Sequence, residues 1–191
     1  REYDARWLFP GEINLMGLNA IGLGLATLAR RRGVAPRFVV GHDYRWYSAS
    51  VKQALMLGFV AGGAEVHDIG LALSPMAYFA QFALDVEGGA MVTASHNDNG
   101  WTGIKMGLGR PLTFAPEEMS ALKEIVLTGA SETRDGGRYI LVPDLASRYV
   151  ADLVNRPKLT RRLRVICATG NGTAGAFAPQ MLEAIGCEVV P

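Results

Sequence analysis

Apolar and polar positions along the chain alternate between stretches of helical length and short runs of strand length. Ile13 to Ala29 carries no charge and is followed by Arg30, Arg31 and Arg32. Seventeen residues containing Asn14, Asn19, Gly17, Gly22 and Gly24 sit at the lower limit for crossing a bilayer, so this run reads as a buried helix of an α/β protein. Arg37 to Gly41 (RFVVG) reads as a buried strand, Val51 to Ala61 as a helix and Val66 to Ile69 as a further strand carrying His67. Ser74 and Pro75 then open a helix to about Leu84, with serine as N-cap and proline at the first helical position. Two short strands follow at Ala90–Thr93 and Ile104–Met106, with Asp98, Asn99, Gly100 and Gly103 supplying turn chemistry between them. Ala115 to Leu127 is an amphipathic helix with acidic residues in its first turn and a face for packing. The alternation predicts an α/β fold: a layered, mostly parallel sheet flanked by helices, with its ligand site at the carboxyl ends of the strands.

Gly129 to Tyr139 is polar and glycine-containing, which predicts a loop between two units, residues 1–142 and 143–191. A helix over Leu145–Val154 leads on, and Arg156, Lys158, Arg161, Arg162 and Arg164 form a basic cluster that reads as a solvated linker. The remainder predicts a strand, a glycine loop, a helix and a strand: the start of a second α/β domain, too short to bury its own faces. The chain therefore reads as the N-terminal portion of a longer protein. Gly170, Gly172 and Gly175 match the dinucleotide spacing G-x-G-x-x-G, but the acidic residue expected at the end of the second strand is missing there, Glu188 lying near its beginning.

Composition narrows the function. Hydrophobic residues make up 49% of 191, ample for a globular core, and 19 Lys+Arg against 18 Asp+Glu leave a net charge of +1. That balance argues against a nucleic-acid partner, which calls for a broad basic surface. Cys167 and Cys187 lie in apolar segments and fit a reduced, cytoplasmic protein, with a bridge between them as the alternative. The first residue is Arg, which is compatible with a trimmed leader.

The chemistry concentrates in Gly88 to Gly107, GGAMVTASHNDNGWTGIKMG. An apolar run delivers Ser95, His96, Asn97 and Asn99 into a loop that returns through Lys105. If the two strands pair, about 5 Å apart, Ser95 and Lys105 flank one loop mouth. A hydroxyl beside an imidazole and an ammonium suits acyl or phosphoryl transfer, and these residues alone do not choose between them. No G-x-S-x-G elbow and no Walker G-x-x-x-x-G-K-[ST] occurs, which disfavours a serine hydrolase and a nucleotide-binding module.

The words TASHN and GIK, with the lysine ten positions after the serine, resemble the active-site signature of the α-D-phosphohexomutases. The opening REYDARW is similar to that of their phosphomannomutase/phosphoglucomutase branch, and HDYRWYSAS resembles their G-R-D-x-R segment with His42 in place of its first arginine. The resemblance covers nearly the whole chain and implies phosphohexomutase domain I followed by the start of domain II. It implies an enzyme that interconverts hexose 6-phosphate and hexose 1-phosphate through a phosphoserine and a bisphosphorylated sugar. By position, Ser95 is the phosphoserine and, through its phosphate, a ligand of Mg²⁺; Lys105 and Arg6 are cations near the transferring group; His96 orients the phosphate or relays a proton. Tyr3, Arg6, Asn97 and Lys105 are the implied contacts of a phosphosugar substrate, with a hexose 1,6-bisphosphate as activator. Asp43 and Arg45 read as an ion pair bracing the loop, with substrate contact as the alternative. The other Mg²⁺ ligands are expected beyond residue 191, since no D-G-D-x-D-R occurs, and the residues name no oligomeric state. Trp7, Asp98 and Thr102 depart from the family pattern, in which these places hold glycine, proline and asparagine. A phosphoglucosamine-type mutase and a nucleotide-binding or interaction module without catalysis are the alternatives.

Overall fold

The structure is a computed structural model and describes residues 3–111, 113–156 and 159–190. Two compact units make up the chain, Arg1–Val142 and Pro143–Pro191. In the first, β1 (Ala5–Leu8), α1 (Leu15–Arg31), β2 (Arg37–His42), α2 (Ser48–Ala61), β3 (Glu65–Leu71), α3 (Ser74–Ala83), β4 (Gly88–Val92), β5 (Trp101–Leu108), α4 (Pro116–Leu127) and β6 (Arg138–Leu141) follow in order.

The six strands form one sheet in the order β1-β5-β4-β2-β3-β6. The pairs β4–β2, β2–β3 and β3–β6 are parallel, while β5 runs antiparallel to both β4 and β1. β2 is buried along nearly its whole length, as a central strand covered on both faces must be. One face packs under α1, α2 and α4 through Leu18, Leu25, Phe38, Leu55, Phe59, Ile104 and Met106, with the rings of Phe38 and Phe59 stacked at 4.1 Å. The other face carries α3, whose buried Met76, Ala77 and Ala80 lie toward β2 and β4.

The uncharged run becomes α1, capped by the Asn14 side chain accepting from Gly17 N at 3.0 Å. Its glycines serve a helix contact: a Cβ on Gly22 would lie 2.0 Å from Leu55 O, and one on Gly58 of α2 would lie 1.9 Å from Asn19 O. Among the described residues no helix is long and apolar enough to cross a membrane.

Two local expectations are corrected. Leu73, not Ser74, is the N-cap of α3; Ser74 is the first helical residue and makes no capping bond, so its hydroxyl is left for Lys105. The predicted loop to Tyr139 ends earlier, because β6 begins at Arg138 and pairs with β3. All four β6 residues are exposed, which removes the alternation that marks a half-buried strand. Tyr139 Oη ties this edge to the sheet by donating to Asp68 Oδ2 at 3.1 Å, where Lys52 also pairs with Asp68 at 2.6 Å.

The second unit holds α5 (Leu145–Val154), β7 (Arg164–Ile166), a 3₁₀ turn (Thr173–Ala176), α6 (Ala178–Ala184) and β8 (Glu188–Val190), with β7 and β8 parallel. Gly170 turns there at φ +54°. Cys167 and Cys187 are free thiols, so the bridged alternative does not hold. Within the basic cluster Arg156 pairs with Asp152 at 2.8 Å and Arg164 with Glu188 at 3.5 Å, while Lys158 lies outside the described residues.

Candidate active site

β4 runs buried to Val92, and Thr93 and Ala94 remain buried beyond it, so Ser95 is the first exposed residue past the carboxyl end of that strand. Ser95 adopts φ +56°, one of two described non-glycine residues with positive φ. A left-handed serine is strained by on the order of 1 kcal/mol and persists only where its surroundings enforce it. Thr93 supplies one restraint, its Oγ1 accepting from Ser95 N at 3.0 Å. Asn97 N closes the turn on Ala94 O at 3.1 Å.

Two arginines supply the others. Arg6 on β1 donates Nε and Nη2 to Asp4 Oδ2 at 2.9 and 2.7 Å, and Nη1 to Ala94 O at 3.2 Å and to Asn97 Oδ1. Arg45, in the loop after β2, pairs through Nη1 with Asp43 and donates Nη2 to Ser95 O at 3.3 Å and to Asn97 O. Asp43 is itself held by Ser48 Oγ at 2.6 Å and Arg45 N at 3.2 Å. The far end of the loop is pinned by Tyr47 Oη, which accepts from Gly100 N at 2.9 Å and donates to Trp101 O at 2.8 Å. Gly103 lets these pieces meet: a Cβ there would lie 2.6 Å from Ala5 O and 2.8 Å from Thr93 O.

His96 Nδ1 lies 3.4 Å from Ser95 Oγ, and both residues are exposed. Lys105 stands opposite Met91 in the β4–β5 ladder, deeper than the expected loop mouth, where Thr93 N bonds Gly103 O instead. Its Nζ donates to Ser74 Oγ at 3.3 Å, on the α3 side of the sheet. Tyr3 is 60% exposed. Of the residues the sequence singled out, Arg6, Ser95, His96 and Asn97 thus come together directly, while Lys105, on β5, bonds Ser74 at the start of α3.

Asp4, Ser48, Thr93, Ser74 and Tyr47 were not found by sequence reasoning. A signal existed for Asp4: Asp4-Ala5-Arg6 repeats the D-x-R spacing of the expected Asp43–Arg45 pair, and each triplet forms an ion pair whose arginine reaches the same loop. Thr93-Ala94-Ser95 has the spacing of a hydroxyl-to-backbone turn.

The first unit is a three-layered α/β/α domain with a left-handed, exposed serine at the carboxyl edge of its sheet, the edge at which such folds bind their ligands. A family model described as phosphoglucomutase/phosphomannomutase, alpha/beta/alpha domain I, matches residues 1–133. The chain is 34% identical over its whole length to a phosphomannomutase/phosphoglucomutase of Pseudomonas putida, and 30% identical over 99% of its length to a phosphoglucomutase of Neisseria meningitidis. A solved phosphoglucomutase/phosphomannomutase family protein from Burkholderia thailandensis superposes on all of the chain with a TM-score of 0.92 at 31% identity. The chain belongs to the phosphoglucomutase/phosphomannomutase family. It spans 40% of the length of the Pseudomonas relative and 42% of the Burkholderia chain.

Proposed function

We infer that the chain carries the phosphoserine part of a phosphomannomutase/phosphoglucomutase, acting on hexose phosphates by way of a bisphosphorylated sugar. The observation that carries this reading is Ser95, exposed on its left-handed turn, in a chain of this family. In the forward step a sugar hydroxyl attacks phosphorus, the new sugar O–P bond forms as the Ser95 Oγ–P bond breaks, and the hydroxyl proton ends on Ser95 Oγ. The second half-reaction returns the other phosphoryl group to Oγ and its proton to the sugar.

A transferring group with about −1.5 to −2 charges needs neutralising donors held in place. Lys105 brings an ammonium to this edge of the sheet, and Ser74 restrains it. His96 Nδ1, beside Oγ, orients the phosphate or handles the proton on that oxygen. Arg6 has most of its N–H donors committed to Asp4, Ala94 and Asn97, so it acts first by holding the loop and keeps one Nη2 hydrogen for the phosphoryl oxygens. A Mg²⁺ would supply charge neutralisation on the phosphoryl oxygens. The described residues include no group of three or more His, Cys, Asp or Glu suited to a metal, so they do not by themselves form its binding site, and phosphorylated Ser95 would offer it oxygens.

Peptide mass spectrometry over Ser95, before and after incubation with glucose 1,6-bisphosphate and Mg²⁺, tests the reading in the intact protein. One added phosphoryl group on Ser95 is expected, and Ser95→Ala is expected to abolish mutase turnover. An unlabelled Ser95, or normal turnover of the alanine variant, would overturn it.

A further inference from the structure

The direction in which Ser95 presents its Oγ is set by its backbone, and one grip on that backbone comes from another strand's loop. Arg45 reaches across to two carbonyls of the turn, those of Ser95 at 3.3 Å and of Asn97. Its side chain is 13% exposed and its own position is fixed by Asp43, 5% exposed, which accepts from Ser48 Oγ, the Arg45 amide and the Arg45 guanidinium. Among the described residues Arg45 is the cation with which this carboxylate pairs, so its function is to aim one guanidinium. A planar fork has the right shape for both partners. One edge pairs with the carboxylate while the other donates to carbonyls, which a lysine ammonium does not do with the same geometry.

We propose that Arg45, oriented by Asp43, is a positioning residue that pins the Ser95 and Asn97 carbonyls, holds Ser95 at positive φ and thereby fixes the line along which phosphoryl transfer occurs. The effect on transfer rests on the phosphoserine reading of Ser95; the grip on the turn does not. Glycine enters the left-handed region without the strain that serine meets there. A clamp that enforces this region therefore leaves a thermodynamic mark between positions 45 and 95, independent of any substrate.

Two measurements in the intact protein test the pair of claims separately. In a stability cycle, Ser95→Gly is expected to raise Tm when Arg45 is present and to give a smaller gain in the Arg45→Met background, where the turn is free to relax. An equal gain in both backgrounds would show that Arg45 does not enforce the turn. In the second, the rate of phosphoryl incorporation into Ser95 from glucose 1,6-bisphosphate and Mg²⁺ is expected to fall about a hundredfold in Arg45→Met, the scale of a reacting group displaced by an ångström. Millimolar guanidinium ion is expected to restore part of that rate, which a general loss of folding does not predict. Wild-type loading by Arg45→Met would overturn the positioning role. If wild-type Ser95 itself takes no phosphoryl group, the phosphoserine reading fails and the stability cycle alone decides the clamp. Should Arg45→Met not fold, Asp43→Asn keeps the guanidinium while loosening its aim, and unaltered loading by that variant would overturn the proposal equally.

Discussion

Ser95 and the pair Arg6–Asn97 illustrate how far single residues could be read from their neighbours in sequence. The serine and the lysine ten positions on carry a recognisable spelling, which marks both in the sequence itself. Thr93, Ser48 and Tyr47 carry none, because a hydroxyl that bonds one amide, carboxylate or carbonyl looks like any other hydroxyl until the chain is folded. Thr102 shows the same blindness in reverse. It was noticed as a departure from a pattern, whereas its physical peculiarity is a buried Oγ1 with no hydrogen-bond partner, in a residue 1% exposed. An unsatisfied buried hydroxyl is destabilising, and an isosteric methyl removes that penalty without opening a cavity. Thr102→Val is therefore expected to stabilise the protein by about 1 kcal/mol in urea unfolding, and a loss of stability would mean that the hydroxyl finds a bond in solution.

At the scale of elements, helices and central strands were legible and edges were not. α1 announces itself by seventeen uncharged residues, but the reason for its glycines lies in α2. Viewed alone, Gly22 weakens a helix by about 1 kcal/mol relative to alanine. In place, a methyl group there would collide with the Leu55 carbonyl at 2.0 Å, and overpacking of that kind costs about 1–3 kcal/mol or more. The collision wins, so Gly22→Ala is expected to lower the denaturant midpoint despite its better propensity. A raised midpoint would show that the two helices separate at little cost. β6 was missed for the opposite reason: it has no buried face of its own, and what holds it is a tyrosine reaching into the Lys52–Asp68 pair of its neighbours.

For the first unit as a whole, the order of the sheet was beyond sequence reasoning, since periodicity reports which residues are strands and not which strands are neighbours. Glu65 sits where that order matters, bonded to Arg37 of β2, His67 of its own strand and Arg138 of β6. Burial disfavours its charge, yet hydrogen bonds from Arg37 and His67 outweigh burial and hold the carboxyl at about 2, below its ordinary 4.5. A folded-state value below the unfolded one contributes stability that is fully present above pH 4.5 and is lost as the pH falls toward 2. The stability of the wild type is thus expected to decline more steeply over that window than that of Glu65→Gln, measured by chemical unfolding at fixed ionic strength; parallel slopes would remove Glu65 from the account.

The two D-x-R triplets have a further consequence, in time rather than in space. The bonds that shape the serine turn join residues 50 to 91 positions apart in the chain, bringing the β1 strand and the loop after β2 to the end of β4. Contacts of such separation form late, after the entropy of closing long loops has been overcome. Until then Ser95 is an ordinary flexible serine, so the same contacts that shape the site also delay it, and a half-folded chain has no organised group with which to react.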